Sequence, residues 1–330
     1  MVVGVAVVVA LALSLAGGYA IRSLNDAPPE VVSTAPCVGP RALEAGGTCA
    51  DPFGPAPDTV MTTRNEYFYA PPECDEVVDA LPGVDAGTSQ VCDFRSGAQG
   101  LEVWLVGDSH AQQWQGAVFD LARVNGWRVT TSYLGGCPAA DVAFRGFRVP
   151  WSESDVSTCR SWSRGISDAI IAEAPDLVFT SMAARLHVID DDGSGRSSID
   201  QYAEGLRKDW VRWTAVDSTV VVLGDPPFNQ EVRNPDCVAV NRGAPIECAR
   251  PREQAQPEDP LLAAADPAAV PGVVPIDMTD RFCDAESCYA VVGGVPVYYD
   301  ADHLNLEYAR MLGPTIWSAL QSAPGSPLAP

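Results

Sequence analysis

Lysine is almost absent from this chain of 330 residues, and basic residues of either kind are few. Lys208 is the single lysine, and 43 acidic residues stand against 21 basic ones, which gives a net charge of −22. A field of that sign repels phosphate backbones and anionic lipid headgroups. We therefore expect no nucleic-acid partner. The hydrophobic fraction of 47% is that of an ordinary globular chain.

Close cysteine pairs of the Cys-x-x-Cys type are missing, and histidine is scarce. His110, His187 and His303 are the three histidines of the chain. Zinc sites usually need such close pairs or mixed Cys and His clusters, so no metal and no other cofactor is expected. His187 with the acidic run 190–192 is the alternative metal-binding pattern, but consecutive acids on a Gly-rich loop are usually solvated.

Cysteine itself is plentiful, with ten residues. An even and high count indicates disulfides and an oxidising compartment. Ten cysteines allow many connectivities, and the sequence does not choose among them, so pairing of neighbours along the chain is a preferred hypothesis. The pairs would be Cys37–Cys49, Cys74–Cys92, Cys137–Cys159, Cys237–Cys248 and Cys283–Cys288.

Charged residues are also missing from Val2 to Ile21, a run that ends at Arg22. Its length suffices to cross a hydrocarbon core of about 30 Å. A cleavable signal peptide is the alternative, but such peptides usually have a basic N-terminal region and a shorter apolar run. We expect a retained transmembrane helix over residues 1–22, so that the chain is a single-pass protein of the cell membrane with its C-terminal domain extracytoplasmic.

The remaining chain divides by its periodicity. Residues 23–100 predict a stalk and a disulfide-bearing N-terminal extension, because they are rich in turn formers and show no clear period. From residue 101, apolar runs of strand length alternate with helical stretches. Strands are predicted at 101–106, 127–133, 176–180, 218–223 and 273–276, and helices at 111–125, 161–174, 199–216 and 304–321.

This alternation predicts an α/β domain over residues 101–322, with a central parallel sheet covered on both faces. Residues 226–271 are polar and Pro-rich, and they predict an insertion in that domain. Residues 323–330 form a tail.

The first candidate site is the turn Gly107-Asp108-Ser109-His110, which follows the most convincing strand. Open α/β sheets bind ligands beyond the carboxyl ends of their strands. Ser109 would present its hydroxyl there, beside free N–H groups at the start of a helix, as in a nucleophile elbow. The alternative is that Asp108 or Ser109 only caps the helix.

The second candidate is Asp300-Ala301-Asp302-His303, before the final helix. A histidine and a carboxylate three residues apart on a turn can bond to each other and leave the second imidazole nitrogen outward. The alternative is a plain helix start at which Asp302 is the N-cap. A third turn, Gly135-Gly136, would let backbone N–H groups approach an oxyanion, although it is equally explained as a simple turn.

The first two motifs resemble the first and last blocks of the SGNH hydrolase superfamily. The Gly-Asp-Ser-His form, the Asp-x-Asp-His-Leu run and Cys137 beside the second block are most similar to the extracellular SGNH domain attached to acyltransferase-3 membrane proteins. The resemblance covers residues 101–321 and implies a flavodoxin-like three-layer fold. It implies that Ser109 is the nucleophile, His303 the base and Asp300 the acid that orients it.

The same resemblance implies an oxyanion site made by the N–H groups of Ser109 and of Gly135 or Gly136. It departs from the superfamily after the third strand, where residues 180–185 hold no asparagine to donate to the oxyanion. Loss of one such donor costs about 2.7–4 kcal/mol of transition-state stabilisation unless another group serves. Arg185 is a possible substitute, but we expect it to be a surface charge.

The implied function is a serine O-acyltransferase that acetylates cell-wall or surface polysaccharide, or an acetylesterase. Its partners would be an acyl donor, a glycan acceptor and an acyltransferase-3 membrane domain. Transfer and hydrolysis share every step except the acceptor, so these residues do not separate them. The alternative is a catalytically inactive domain that binds wall glycan or an assembly partner. Whether the chain is a stand-alone relative or a piece of a longer acyltransferase stays open.

Overall fold

The computed structural model describes residues 33–44, 48–58, 65–76, 84, 86–95, 97, 100–228 and 231–329. The predicted transmembrane helix of residues 1–22 lies outside these ranges. Within them, no helix is long and apolar enough to cross a membrane.

The strands of the described ranges are, in chain order, β1 Cys74–Glu76, β2 Thr88–Asp93, β3 Glu102–Gly107, β4 Arg128–Tyr133, β5 Phe144–Phe147, β6 Val149–Pro150, β7 Leu177–Ser181, β8 His187–Ile189, β9 Thr219–Leu223, β10 Arg250–Pro251, β11 Val273–Ile276, β12 Ser287–Cys288, β13 Val291–Val292 and β14 Val295–Pro296. The α-helices are α1 Arg41–Glu44, α2 Ser109–Gln112, α3 Gln115–Asn125, α4 Glu153–Glu173, α5 Ser198–Thr214, α6 Pro235–Val240, α7 Arg252–Ala255, α8 Pro260–Ala264, α9 Leu306–Met311 and α10 Gly313–Ser322.

A seven-stranded sheet in the order β1-β2-β4-β3-β7-β9-β11 organises the molecule. The five strands from β4 to β11 run parallel, and β1 and β2 extend the β4 edge with antiparallel pairing. Counted along the chain, the parallel strands have the order 2-1-3-4-5, which is the flavodoxin-like arrangement. The predicted N-terminal extension therefore contributes two strands to the sheet.

The sheet is buried on both faces because its central strands are continuous apolar runs. Alternate side chains of β3 point to opposite faces: Val103 and Leu105 join a core formed with α3, α9 and α10. Trp104 and Val106 join a second core formed with α4, α5 and α8. Strands buried on both faces are typical of parallel sheets. The predicted three-layer α/β architecture is confirmed, and each predicted strand lies within one residue of an observed one.

The helix bounds differ from the predicted ones in two ways. One helix has an N-cap that the hydrophobic pattern did not indicate, and two predicted helices are each interrupted. α4 begins eight residues before the predicted start, because Ser152 accepts a hydrogen bond from the N–H of Asp155 and caps the helix there. The predicted helix 111–125 divides into α2 and α3. The predicted helix 304–321 divides into α9 and α10, and Pro314 lies in the first turn of α10, where proline is tolerated.

All five predicted disulfides join neighbours along the chain, as the preferred pairing has it. The Cys137–Cys159 bridge joins the turn after β4 to α4, and both cysteines are buried in the second core. The bridge therefore fixes the Gly135-Gly136 turn relative to α4. The Cys237–Cys248 bridge lies within the 226–271 insertion.

Removal of the Cys137–Cys159 bridge by a double substitution to serine should lower the free energy of unfolding by about 2–5 kcal/mol. Denaturant titration measures this loss. The matched control is the same change at Cys237 and Cys248, which should destabilise less because that bridge closes a separation of 11 residues and not 22. Free thiols at all ten positions of the unfolded, unreduced protein would contradict the prediction.

Candidate active site

The turn that carries Ser109 is held by a buried carboxylate. Asp108 caps α2: its Oδ1 accepts the N–H of His110 at 2.7 Å, and its Oδ2 accepts the N–H of Ala183 at 3.0 Å. The predicted capping role of Asp108 is thus present, and it also joins the ends of β3 and β7. Ser109 is the first residue of α2 and is partly exposed. Because Asp108 accepts the N–H of His110, the hydroxyl of Ser109 is not needed to cap the helix.

Gly107 is required at the end of β3. Its φ of +149° is rare for residues with side chains, and a Cβ there would lie 2.1 Å from the carbonyl oxygen of Ser181. Only glycine allows the strand to end so close to β7. The first glycine of the predicted motif is therefore explained by backbone packing.

His303 and Asp300 form the predicted pair. Nδ1 of His303 lies 2.9 Å from Oδ2 and 3.0 Å from Oδ1 of Asp300. Oδ1 also accepts the N–H groups of Asp302 and His303 at 2.7 Å each, so the carboxylate is fixed by its own turn. An Nδ1–H that donates to a carboxylate leaves Nε2 as an acceptor. Nε2 of His303 is buried and has no hydrogen-bond partner among the described residues, and therefore none in Ser109.

The charge of Asp300 is maintained by this geometry. Burial alone would raise its pKa, but the hydrogen bond and charge of His303, with the two backbone N–H groups, lower the pKa below its ordinary value. Asp300 is therefore ionised at neutral pH. A carboxylate in that state fixes the tautomer of the imidazole and stabilises the imidazolium when it forms.

Tyr67, which the sequence reasoning did not identify, lies against His303. Its ring stacks on the imidazole with 3.8 Å between ring centroids. Burial, and next the charge of Asp300, raise the pKa of Tyr67 to about 12, so the ring is a neutral phenol. Tyr67 belongs to the N-terminal extension, and no local pattern in the sequence joins it to residue 303.

Asp302 does not cap the final helix, so the alternative explanation of this turn as a plain helix start with Asp302 as its N-cap is wrong. The cap is Asn305, which accepts the N–H of Glu307 at 2.9 Å, and α9 begins at Leu306. Leu304 is held extended by a bridge to Tyr298, which delays the start of the helix. The carboxylate of Asp302 instead pairs with Arg148.

The two motif turns lie side by side. The side chain of Gln113, at the end of α2, accepts the N–H of Leu304 at 2.9 Å. The rings of His110 and His303 lie with centroids 5.5 Å apart. The structure therefore brings the Ser109 turn and the His303 turn to the same edge of the sheet.

The Gly135-Gly136 turn is adjacent to them. It follows β4, which pairs with β3 so that Tyr133 lies opposite Gly107, and the N–H of Leu134 donates to the carbonyl of Gly107 at 3.2 Å. Gly136 has a φ of +67°, and a Cβ there would meet Phe147 and Trp151. The turn therefore lies beside the Ser109 turn, and its role as an oxyanion donor stays a prediction.

The prediction that Arg185 is a surface charge is wrong. Its side chain is 4% exposed and donates from Nη1 to Oδ2 of Asp225 at 3.1 Å. Its Nε donates to the carbonyl of Pro257 at 3.1 Å. A single helical turn after β7 points the side chain inward, toward the loop that follows β9. Arg185 therefore joins two loops beneath the site.

The other two histidines also lie beside aspartates. Nδ1 of His110 is 2.6 Å from Oδ1 of Asp225, and both side chains are buried. Nε2 of His187 is 3.2 Å from Oδ2 of Asp108, and its Nδ1 bonds the hydroxyl of Tyr202 at 2.7 Å. In the part of the chain that the structure describes, no group of three or more His, Cys, Asp or Glu side chains is placed to hold a metal ion.

A cavity of about 300 Å³ adjoins these groups. Arg185 and His187 form part of its wall, with the aromatic side chains of Tyr202 and Phe228. His187 contacts Asp108, and Arg185 contacts Asp225, so the wall is one contact away from the two carboxylates that bond to His110. Ser109 and His303 do not line the cavity.

Comparison with known proteins identifies the class. Residues 73–318 match the family described as SGNH domain (fused to AT3 domains), and the chain belongs to this family. A hydrolase- or acyltransferase-like function follows from the family. Among solved structures, one similar chain is the periplasmic domain of a lipopolysaccharide acetyltransferase from Salmonella ser. Paratyphi A, at 15% identity and a TM-score of 0.48 over 67% of this chain and 83% of that chain. No curated protein sequence matches.

Substitution Arg185→Gln should destabilise the protein by about 3 kcal/mol, because it removes one partner of a buried ion pair and leaves Asp225 with only His110 and the more distant Arg233 as partners among the described residues. Chemical denaturation measures the change. Arg196→Gln is the matched control, since Arg196 pairs with Asp192 and Glu204 on the surface, and it should have little effect. Equal stability of the two variants would show that the Arg185 contacts carry no net energy.

Proposed function

We propose that this chain is an extracytoplasmic serine O-acyltransferase or acetylesterase whose triad is Ser109, His303 and Asp300. The observation that carries the proposal is the two-oxygen contact of Asp300 with His303 on a turn that packs against the Ser109 turn. Nucleophile, base and orienting acid are then supplied by two adjacent loops at the carboxyl edge of the sheet. That is the arrangement expected of a triad recognised by geometry and roles.

In the proposed reaction the hydroxyl oxygen of Ser109 attacks the carbonyl carbon of the acyl donor, and Nε2 of His303 takes the hydroxyl proton. Asp300 stabilises the imidazolium that results. The N–H groups of Ser109 and of Gly135 or Gly136 would hold the oxyanion. His303 returns the proton to the leaving group as the acyl-enzyme forms. The acyl group then passes to a sugar hydroxyl or to water, with His303 again as the base.

Transfer to glycan is the reaction we favour, with a polysaccharide of the cell wall or surface as the acceptor. Support comes from the family, whose members are fused to acyltransferase-3 domains. Incubation of the chain with an acetyl ester, with and without a glycan, separates the two reactions when the products are followed by mass. Acetylated glycan indicates transfer, and acetate alone indicates hydrolysis.

An extracytoplasmic place at the cell membrane, beside an acyltransferase-3 domain, is part of this proposal. The five disulfides support an oxidising compartment. The apolar run from Val2 to Ile21 would supply the membrane helix. Protease accessibility in spheroplasts would test the orientation.

A non-catalytic domain that binds glycan or an assembly partner is the second candidate. It is favoured by the lack of asparagine in residues 180–185, because an oxyanion donor is then missing at that place. A fluorophosphonate probe separates the candidates, since it labels only a serine that a base activates. Labelling at Ser109 supports the enzyme.

Ser109→Ala should abolish hydrolysis of p-nitrophenyl acetate and labelling by fluorophosphonate, with folding intact, since the side chain lies on a partly exposed turn. Near-ultraviolet circular dichroism checks the fold. Ser318→Ala is the control, because Ser318 is an exposed serine of α10. Undiminished turnover by Ser109→Ala would refute the whole triad.

Asp300→Asn should lower turnover by about 10⁴-fold, as expected when a triad histidine is left in the wrong tautomer. Asp302→Asn is the matched control and should do little, because that carboxylate pairs with Arg148 and not with the imidazole. Steady-state kinetics measures both. For the native protein, kcat/KM should rise with pH as His303 loses its proton and then level off. A larger loss in Asp302→Asn would make Asp302 the orienting acid.

A further inference from the structure

His110 is a buried imidazole that the proposed mechanism does not use. It follows Ser109 directly, and its side chain is 1% exposed. Its Nδ1 lies 2.6 Å from Asp225, and its Nε2 is buried with no hydrogen-bond partner among the described residues. A buried polar atom without a partner is expensive to keep, so a functional reason for it is worth seeking.

The ring of His110 contacts the proposed base. The centroids of the His110 and His303 rings are 5.5 Å apart, and the ring planes meet at 60°. Asp225, which holds His110, is in turn fixed by Arg185 at 3.1 Å and lies 3.8 Å from Arg233. The position of the His110 imidazole is therefore determined by a network that is itself buried.

This network favours a charged imidazole. Burial disfavours the imidazolium, but the charge of Asp225 and its hydrogen bond outweigh burial and raise the pKa of His110. Burial likewise opposes the ionisation of Asp225, yet His110 and the two arginines lower its pKa to about 2. Both shifts favour the pair of an ionised carboxylate and an imidazolium, and the imidazole is the member that contacts His303.

We propose that His110, held by Asp225, is a positioning residue whose positive charge opposes the protonation of His303. Two cations at this separation repel each other, and a like charge nearby disfavours the protonated form of an imidazole. The inference rests on the proposed function, since it assigns His303 the role of base.

The other groups around His303 act in known directions. The carboxylate of Asp300 favours the imidazolium form of His303. A positive charge on His110 has the opposite effect. Tyr67 is neutral, and the charge of Asp302 is paired with Arg148.

Around His110 itself, Asp108 adds to the effect of Asp225, whereas Arg233 opposes it. The pKa of Asp259 is raised by burial to about 6, against the attraction of Arg185. Asp259 bonds the backbone N–H of Asp225 and not His110. The charge that faces His303 from α2 is therefore that of His110.

The kinetic test is His110→Gln, which keeps an amide donor for Asp225 and removes the charge. If the pKa of His303 rises by about one unit, kcat/KM falls by a factor that approaches about tenfold at pH values below both pKa values, and it stays nearly unchanged at pH 8.5. A purely structural role for His110 would lower activity by one factor at all pH values, and that outcome would overturn the proposal.

A second readout needs no turnover. The chain has three histidines, so ¹⁵N-histidine labelling gives three imidazoles to follow by NMR. The pKa of His303 should rise by about one unit in His110→Gln. It should not rise in His187→Gln, because the ring of His187 contacts Asp108, Phe144 and Tyr202 and the histidine ring that contacts His303 is that of His110. An unchanged titration of His303 in His110→Gln would refute the coupling, whatever the fate of the proposed reaction.

If His110→Gln does not fold, the NMR titration of the native protein still tests the proposal. His110 should remain protonated to a higher pH than His303, and the signal of His303 should respond again when His110 finally loses its proton. Deprotonation of His110 before His303 would exclude the proposed role. Loss of activity in Ser109→Ala tests the reaction separately, so failure of one proposal is distinguishable from failure of the other.

Discussion

The buried carboxylate of Asp108 is the contact on which the geometry of the site depends. One oxygen fixes the start of α2, and the other holds the loop after β7. β3 and β7 are neighbours at the place where the strand order reverses, and open α/β sheets form their ligand crevice there. Without that contact, the turn that carries Ser109 and the loop after β7 would not be held together. The charge of Asp108 is compensated by N–H dipoles at a helix start, where an anion is favoured.

Each of the three histidines lies beside an aspartate, but the environments of the pairs differ. The imidazole of His303 is 13% exposed and Asp300 is 31% exposed, whereas the other two pairs are essentially buried. Nε2 of His303 is itself buried, so the greater exposure of this pair belongs to the other atoms of the imidazole and to Asp300. A buried pair can act through its field, which is screened less than in water. In our proposal, similar chemistry in two environments serves two roles.

The local part of this design was predictable from sequence. Central strands are continuous apolar runs, and the Asp300–His303 contact joins residues three apart in the chain, so both follow from short-range pattern. The bond between Asp225 and His110 joins residues 115 positions apart, and no local sequence pattern predicts it. The prediction of a surface position for Arg185 failed for the same reason. Nothing in the sequence around an arginine that follows a strand shows that its side chain turns inward. Asn305 replaced Asp302 as the cap because a tertiary bridge at Leu304 overrode the local preference.

The N-terminal extension belongs to the site as well as to the sheet. Tyr67 stacks on His303, and Asn65 accepts the N–H of Leu306 at 3.1 Å. Gln115 of α3 donates to the carbonyl of Tyr69 at 2.9 Å. These bonds attach residues 65–69, which precede the matched residues 73–318, to α3 and α9. These are the helices that follow the two motif turns. The ring of Tyr67 covers one face of the imidazole, so the solvation of the proposed base is controlled by residues outside the family match.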